Sequence, residues 1–412
     1  MTTGFSVLVT RCSLSKSPQI KQIMDISKDK KLALKEILAW FATKSGSKQS
    51  LTLGGYAGTG KTTLIAILRK VLYQQDPKLK VSFAAFTGKA ARVLKTYLKE
   101  NEVLYKGDSV GTIHSLIYSI IENESHDIIG WKRKEEIKTD LIIIDEASMV
   151  DQKIWLDLLS YDVPVLAVGD HGQLPPVNGQ FNLMETPELK LEEIHRQVTD
   201  NPIIKLSIEA RKTGHIKIGN YGQGVRKLDK NDPESQEIIE SYLQSSNQDT
   251  LILCGYNNTR IKLNNYLRNL LGHDSPLPMA GDRVICLRNK QQKAIFNGML
   301  GTIQTISSVN DNFYELKILF DDEEQEFEGL AVKKQFGSST ALNFTKETRT
   351  LTLQAELFDF AYALTVHKAQ GSQARRVILF EERFKQMSDL DWRRWLYTAV
   401  TRAEEELIIL GD

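Results

Sequence analysis

The sequence predicts an α/β fold built on parallel sheets, and two observations carry that expectation. Short aliphatic runs recur at Val81 to Phe86, Leu141 to Ile144, Val163 to Val168, Thr250 to Cys254, Val377 to Phe380 and Leu407 to Leu410, with helical patterns between them. That rhythm is the one alternating strands and helices produce. The second observation is a Gly-rich segment, Gly55 to Thr62, followed by apolar residues at Leu64, Ile65, Leu68 and Leu72 on one helix face, which makes it a strand-to-helix loop.

Composition bounds the class. With 412 residues, 41% hydrophobic and 25% charged, the chain has an ordinary globular composition, and its length suggests roughly two to four domains. Cys12, Cys254 and Cys286 are far apart and fit no metal-ligand spacing. With no secretory signal in view, the expected setting is the reducing cytoplasm. No apolar run approaches the roughly 18 residues a membrane span needs. A net charge of +1 does not advertise a polyanion partner, so any nucleic-acid contact must be local or made through backbone and stacking.

From about Gly281 to Gly329 the pattern changes. Tyr314, Leu316, Ile318 and Phe320 alternate with Glu315, Lys317 and Leu319 beyond an Asn310-Asp311-Asn312 turn, which predicts a small β insert. The acidic run Asp321 to Glu326 reads as a solvated turn and edge.

Gly55-Tyr56-Ala57-Gly58-Thr59-Gly60-Lys61-Thr62 satisfies GxxxxGK[ST]. Its glycines let backbone N–H groups wrap phosphate oxygens while a helix N-terminus faces the negative charge. Gly58, Thr59, Gly60, Lys61, Thr62 and Thr63 are the candidate nucleotide contacts. Lys61 should reach the β and γ phosphates, and Thr62 should hold Mg²⁺. Leu141 to Ile144 runs into Asp145 and Glu146, a strand end where Asp145 can coordinate Mg²⁺ and Glu146 can activate the attacking water. The bland readings are a Gly-rich turn and a solvated strand end.

Val168-Gly169-Asp170-His171-Gly172-Gln173-Leu174-Pro175-Pro176-Val177 resembles motif III of superfamily 1 helicases, in the wording of the B branch, the RecD-like and Dda-like group. Phe86 to Ala91 resembles motif Ia, Gly111 to Ser115 motif Ib, Glu193 to Gln197 motif IV, Ala363 to Ser372 motif V and Leu396 to Ala403 motif VI. With the phosphate loop and the Asp-Glu strand, eight motifs run in the family's order from Gly55 to Ala403.

The resemblance implies an ATP-dependent DNA helicase moving 5′ to 3′, with two RecA-like parallel-sheet domains, a hairpin insert called the pin and an SH3-like β insert. The expected boundaries are 1–115 with 140–198 for the first RecA-like domain and 116–139 for the pin. The second RecA-like domain would take 199–280 with 355–412, and the β insert 281–354. Gln173 would sense the γ-phosphate, Arg196 and Arg402 would stabilise the transition state from the second lobe, and Gly371 would contact nucleotide. Arginine suits that role because it is planar, permanently charged and bidentate.

Thr87, Lys89, Thr112 and His114 on one lobe, with Thr365, His367 and Lys368 on the other, match positions that contact single-stranded DNA. For the threonines the alternative is helix capping, and for histidine it is packing. Ile128, Ile129 or Trp131 would form the pin tip that meets a duplex junction; Lys132, Arg133 and Lys134 read as a solvated basic turn or backbone contacts. The family's adenine-reading glutamine is missing from Ile26 to Lys31, where Lys30 occupies the corresponding place. A monomer is expected, with single-strand-binding or replication proteins as candidate partners. Two other readings stay open: an RNA-acting remodeller, and a nucleotide-switched binding module with negligible turnover.

Overall fold

The computed structural model describes residues 26–43, 48–122, 128–176, 181–193, 200–288, 290, 293, 295, 297–321, 326–342 and 348–412, with main chain only at 120–122 and 128–131. The first lobe is a six-stranded parallel sheet of β1 (Ser50–Gly55), β2 (Val81–Ala85), β3 (Ser109–Thr112), β6 (Leu141–Asp145), β7 (Val165–Gly169) and β8 (Leu189–Leu191), in the order β3-β2-β6-β7-β1-β8. Its central strands are buried almost throughout, as strands covered by helices on both faces must be. Those helices are α1 (Lys28–Ala42), α2 (Lys61–Gln75), α3 (Gly88–Glu100), the short α4 (Ile113–Ile117) and α5 (Gln152–Leu159). Because the strands run parallel, β1, β6 and β7 all deliver their carboxyl ends to one edge.

β4 (Tyr118–Glu122) and β5 (Ile128–Arg133) form a separate antiparallel hairpin. Its foot is fastened to the first lobe. The Tyr161 hydroxyl donates to the carbonyls of Ile117 and Lys134 at 2.8 and 3.0 Å, and Arg133 donates to Ser160 Oγ at 2.6 Å. Lys134 Nζ donates to the Ser115 carbonyl at 2.7 Å. Arg133 and Lys134 therefore anchor the hairpin; they are not a free basic turn.

The second lobe follows α6 (Pro202–Thr213) and has the sheet order β17-β11-β18-β19-β10-β9. These strands are β9 (Gly219–Gly222), β10 (Val225–Asp229), β11 (Thr250–Cys254), β17 (Ala363–Thr365), β18 (Ala374–Phe380) and β19 (Ala403–Gly411). All pair in parallel except β9, which returns antiparallel at the edge through Gly222 and Gly224, both with positive φ. α7 (Pro233–Gln244), α8 (Asn257–Leu270) and α10 (Asp389–Val400) complete this lobe.

The insert is a five-stranded antiparallel sheet, β15-β14-β13-β12-β16, made of β12 (Arg283–Cys286), β13 (Leu300–Ser308), β14 (Phe313–Phe320), β15 (Glu326–Val332) and β16 (Phe358–Phe360), with α9 (Arg349–Gln354) before its last strand. Leu316, Ile318 and Phe320 are buried while Glu315 and Leu319 are exposed, as the alternation requires. The sheet extends beyond residue 354, where the sequence reading ended it, because β12 takes Phe358–Phe360 as its other neighbour.

Buried ion pairs fasten the insert to the second lobe. Asp282 accepts from Arg268 Nε and Nη2, each at 2.9 Å, from the Met279 N–H at 2.8 Å and from the Tyr362 hydroxyl at 2.9 Å. Arg260 donates to Asp359 at 2.8 Å and to the Ser338 carbonyl at 2.7 Å. Breaking such a pair leaves one charge buried without compensation. Asp282→Ala should therefore cost about 3–5 kcal/mol in urea unfolding, and a loss below about 1 kcal/mol would show that the joint carries no such load.

Candidate nucleotide site and the joint between the lobes

The phosphate loop is shaped by what cannot fit there. A Cβ on Gly55 would lie 2.7 Å from Thr59 Oγ1, and one on Gly54 would lie 2.8 Å from His171 Nδ1. Gly58 and Gly60 have φ of 77° and 78°, a region that glycine enters without steric cost. Thr59 is fully buried, and its hydroxyl donates to the Tyr56 carbonyl at 2.8 Å. Gly60 caps α2, so the positive end of that helix opens on the loop.

Lys61 Nζ donates to the carbonyls of Gly55 at 2.8 Å and Tyr56 at 3.3 Å and lies 4.0 Å from Asp170 Oδ2. Thr62 follows it at the start of α2, and the Thr63 hydroxyl pairs with the Tyr97 hydroxyl at 3.0 Å. Asp145 ends β6 and accepts the Glu146 N–H at 2.9 Å. Loss of water raises its pKa to about 6, the Glu146 charge adds to this, and Lys61 opposes it. A carboxyl group that holds its proton more tightly when folded weakens the fold as pH rises from 3.8 to about 6. Glu146 sits at φ 54°, and its Oε2 is buried without a hydrogen-bond partner. Two carboxylates side by side, one with an orphaned oxygen, form a donor set suited to a hard cation.

Motif III reaches the same edge. Asp170 Oδ1 accepts the Gly172 N–H at 2.9 Å. Gln173 is buried beside Asp170, with its Nε2 at 3.4 Å from Oδ2 and its Oε1 unpartnered.

The second lobe meets this edge through α10. The Tyr397 hydroxyl donates to Asp170 Oδ2 at 2.6 Å and accepts the Ala57 N–H of the phosphate loop at 2.7 Å. Thr398 Oγ1 accepts the Leu174 N–H at 2.9 Å, and Gln370 Nε2 donates to the Leu174 carbonyl at 2.7 Å. Leu174 itself is buried in the core of the second lobe with Ile203, Leu206 and Trp395. Gly371, at φ 75°, passes so close that a Cβ there would lie 2.9 Å from Met149 Sδ and 3.0 Å from Thr87 Cγ2. Lys89 donates to the Gln373 carbonyl across the same joint.

Several residues singled out in the sequence stand elsewhere. Arg402 is buried, and its hydrogen bonds go to the carbonyls of Thr398 and Ser372 and to Thr401 Oγ1, all in its own lobe. Arg196 lies outside the described residues, as do the side chains of Ile128, Ile129 and Trp131. Thr87 caps α3 by accepting the Ala90 N–H, and Thr112 caps α4 by accepting the Ser115 N–H. His114 is buried between the rings of Phe86 and Tyr118, and burial lowers its pKa, which is the packing alternative.

Thr365 is buried at the end of β17. His367 and Lys368 follow it half-buried, and desolvation lowers the pKa of both. Lys368 also feels Arg260, Asp359 and Cys286, so it lies at the joint with the insert. Lys30 is fully buried and donates to Ser27 Oγ at 3.1 Å. Asp29 beside it accepts the Glu192 and Glu193 N–H groups just past β8.

Sequence reasoning passed over Tyr397, Thr398, Gln370 and Asp170, although each lies within a quoted motif. It also passed over Arg211, whose guanidinium carbon lies 3.8 Å from the centre of the Tyr56 ring.

Fold and loop together define a P-loop protein of two parallel α/β lobes. The family described as AAA domain matches residues 38–232, and the UvrD-like helicase C-terminal domain matches residues 360–410. The chain is 28% identical over 400 residues to the ATP-dependent RecD2 DNA helicase of Deinococcus radiodurans, covering 88% of this chain and 47% of that one. It is 25% identical over 452 residues to the RecBCD enzyme subunit RecD of Buchnera aphidicola, covering 87% and 69%. It is also 25% identical over 379 residues to the ATP-dependent DNA helicase Pif1 of Campylobacter jejuni, covering 79% and 81%. The chain thus spans about half the length of the RecD2 relative. Together these matches support a RecD- and Pif1-like helicase of the B branch of superfamily 1. No helix among the described residues is long and apolar enough to cross a membrane.

Replacing Tyr397 by Phe keeps the ring but strips the part-buried Ala57 N–H and the buried Asp170 Oδ2 of a partner. An unfolding measurement should register a loss of about 1–3 kcal/mol. A cost under about 0.5 kcal/mol would mean that this bridge does not couple the lobes.

Proposed function

We propose that the chain is an ATP-driven motor that translocates 5′ to 3′ along single-stranded DNA and unwinds duplex ahead of it. The observation that carries this reading is the Ala57 N–H bonded to the Tyr397 hydroxyl. A phosphate-binding loop held directly by the opposite lobe makes phosphate chemistry and lobe position interdependent. The resemblance to RecD- and Pif1-like helicases suggests the strand and its polarity.

In this reading ATP is held by Gly58 to Thr63, with Lys61 on its β and γ phosphates. Mg²⁺ would be held by Thr62 and Asp145 together with phosphate oxygens, and would neutralise charge there. That demand is reasonable for an ion usually bound by one or two carboxylates plus substrate phosphates. Glu146 takes the proton of the attacking water, and the amide of Gln173 reads the terminal phosphate. Arg196 and Arg402 are the family's candidates for transition-state charge. Thr365, His367, Lys368, Thr87, Lys89 and Thr112 are proposed to line the strand path through hydroxyl, imidazole and backbone groups, which bind phosphate without a large net charge. The β4–β5 hairpin is proposed as the pin and the five-stranded insert as the SH3-like guide. The partners would be single-stranded DNA and duplex junctions, met by a monomer; single-strand-binding or replication proteins would be candidates to recruit it.

Two measurements test this. ATP turnover should rise at least about tenfold with saturating single-stranded DNA and vanish in Lys61→Ala, consistent with the lysine's role in phosphoryl transfer. Equal stimulation by RNA would point to the remodeller. Forked duplexes with a single 5′ or 3′ tail should be separated only from the 5′ tail; activity confined to the 3′ tail would overturn the polarity.

A further inference from the structure

We infer that Arg211 is a further guanidinium that the second lobe presents to the terminal phosphate, beside the Arg196 and Arg402 proposed above, an assignment that rests on the ATPase reading. Arg211 lies in the last turn of α6. The end of that helix is fixed: Gly214 closes it at φ 69°, its N–H returns to the Ala210 carbonyl at 2.9 Å, and its own carbonyl accepts Trp392 Nε1 at 2.7 Å. Trp392 belongs to α10, the helix that carries Tyr397. Arg211 and Tyr397 thus approach the phosphate loop from one rigid pair of helices.

What Arg211 does there is unusual for a part-buried cation. Its guanidinium carbon stacks 3.8 Å from the centre of the Tyr56 ring, which also meets His171 at 4.2 Å and Tyr397 at 6.0 Å between centroids. Its Nε is buried and has no hydrogen-bond partner. A guanidinium has five donors in a fixed fork, and an aromatic face satisfies charge while leaving such donors unspent. Arg402, by contrast, has its donors on Thr398, Ser372 and Thr401. Tyr56 immediately precedes Ala57, whose N–H the second lobe already holds. Stacked on Tyr56, the Arg211 fork stands beside that end of the loop.

The charge balance calls for such a group. Asp145, Glu146 and Asp170 surround Lys61 with three carboxylates at this edge, so one lysine cannot also neutralise a triphosphate. During hydrolysis the water oxygen bonds to the γ phosphorus and the bond to the bridging oxygen breaks. ADP leaves with that electron pair, the water proton passes to Glu146, and phosphate is released. Arg211 neither gains nor loses a proton; it pairs with the oxygens where charge accumulates.

The test uses the full chain, ADP and a non-hydrolysable ATP analogue. Arg211→Ala should bind ADP within about twofold of wild type, bind the analogue at least tenfold more weakly, and lose about 10³-fold in DNA-stimulated kcat, the lower range for a transition-state arginine. Arg211→Lys should recover less than a tenth of the lost kcat, because a point charge lacks the fork; it carries the test should the alanine variant fail to fold. Equal weakening of ADP and analogue, or kcat within threefold of wild type, overturns the assignment. A wild-type chain without ATPase would sink both readings, whereas an active wild type with an equally active Arg211→Ala sinks this one alone.

Discussion

The arrangement depends on one hydroxyl. Tyr397 is fully buried, takes the Ala57 N–H with one lone pair and gives its proton to Asp170. Its pKa is pushed well up, by burial first and then by the Asp170 charge, so the proton stays on oxygen and the bridge keeps its direction. The loop amide, the motif III carboxylate and a second-lobe helix are therefore one hydrogen-bonded unit. A phosphate oxygen that took the Ala57 N–H would act on the second lobe as well.

Sheet topology makes that unit possible. β7 lies between β1 and β6, and parallel pairing brings Gly55, Asp145 and Gly169 to one edge, with Asp170 just beyond. Leu174 then carries the motif III chain into the second lobe's core, where burial holds it and Thr398 and Gln370 satisfy its backbone. Apolar burial supplies the adhesion, and the hydrogen bonds fix the register. The insert is attached differently, through Asp282 and Asp359 paired to arginines of α8, and Lys368 shares the Arg260–Asp359 neighbourhood. A motif V lysine thereby feels both the second lobe and the insert.

How much of this could be read beforehand follows from the range of the interactions. The strands and the loop were legible because they are local: four consecutive apolar residues ending in Asp145, and glycines at fixed spacing. The insert's alternation was legible as far as β14, but β16 was not, because its pairing with β12 joins residues more than seventy positions apart. Thr87 and Thr112 show the limit from the other side. Their sequence context allows a cap or a ligand; the Ala90 and Ser115 N–H groups show the cap, and a hydroxyl that accepts there still has its proton to give to a phosphate. For His114, where the sequence allows a ligand or packing, the structure shows it packed against Phe86 and Tyr118.

Tyr397 and Arg211 were illegible for one shared reason. In sequence, Tyr397 is an aromatic on the buried face of an amphipathic helix, and Arg211 is a cation in a helix's last turn, where it complements the helix dipole. Both descriptions are correct and neither reveals a role, because the role lies in the partner and the partner is on the other lobe. Motifs quoted as strings identify what touches phosphate from its own side. Coupling belongs to residues that reach across, and those become visible only when the lobes are placed together. In the proposed motor the loop's glycines would determine where phosphate sits, and the Ala57 N–H bonded to a side chain of the opposite lobe would make its binding mechanically consequential.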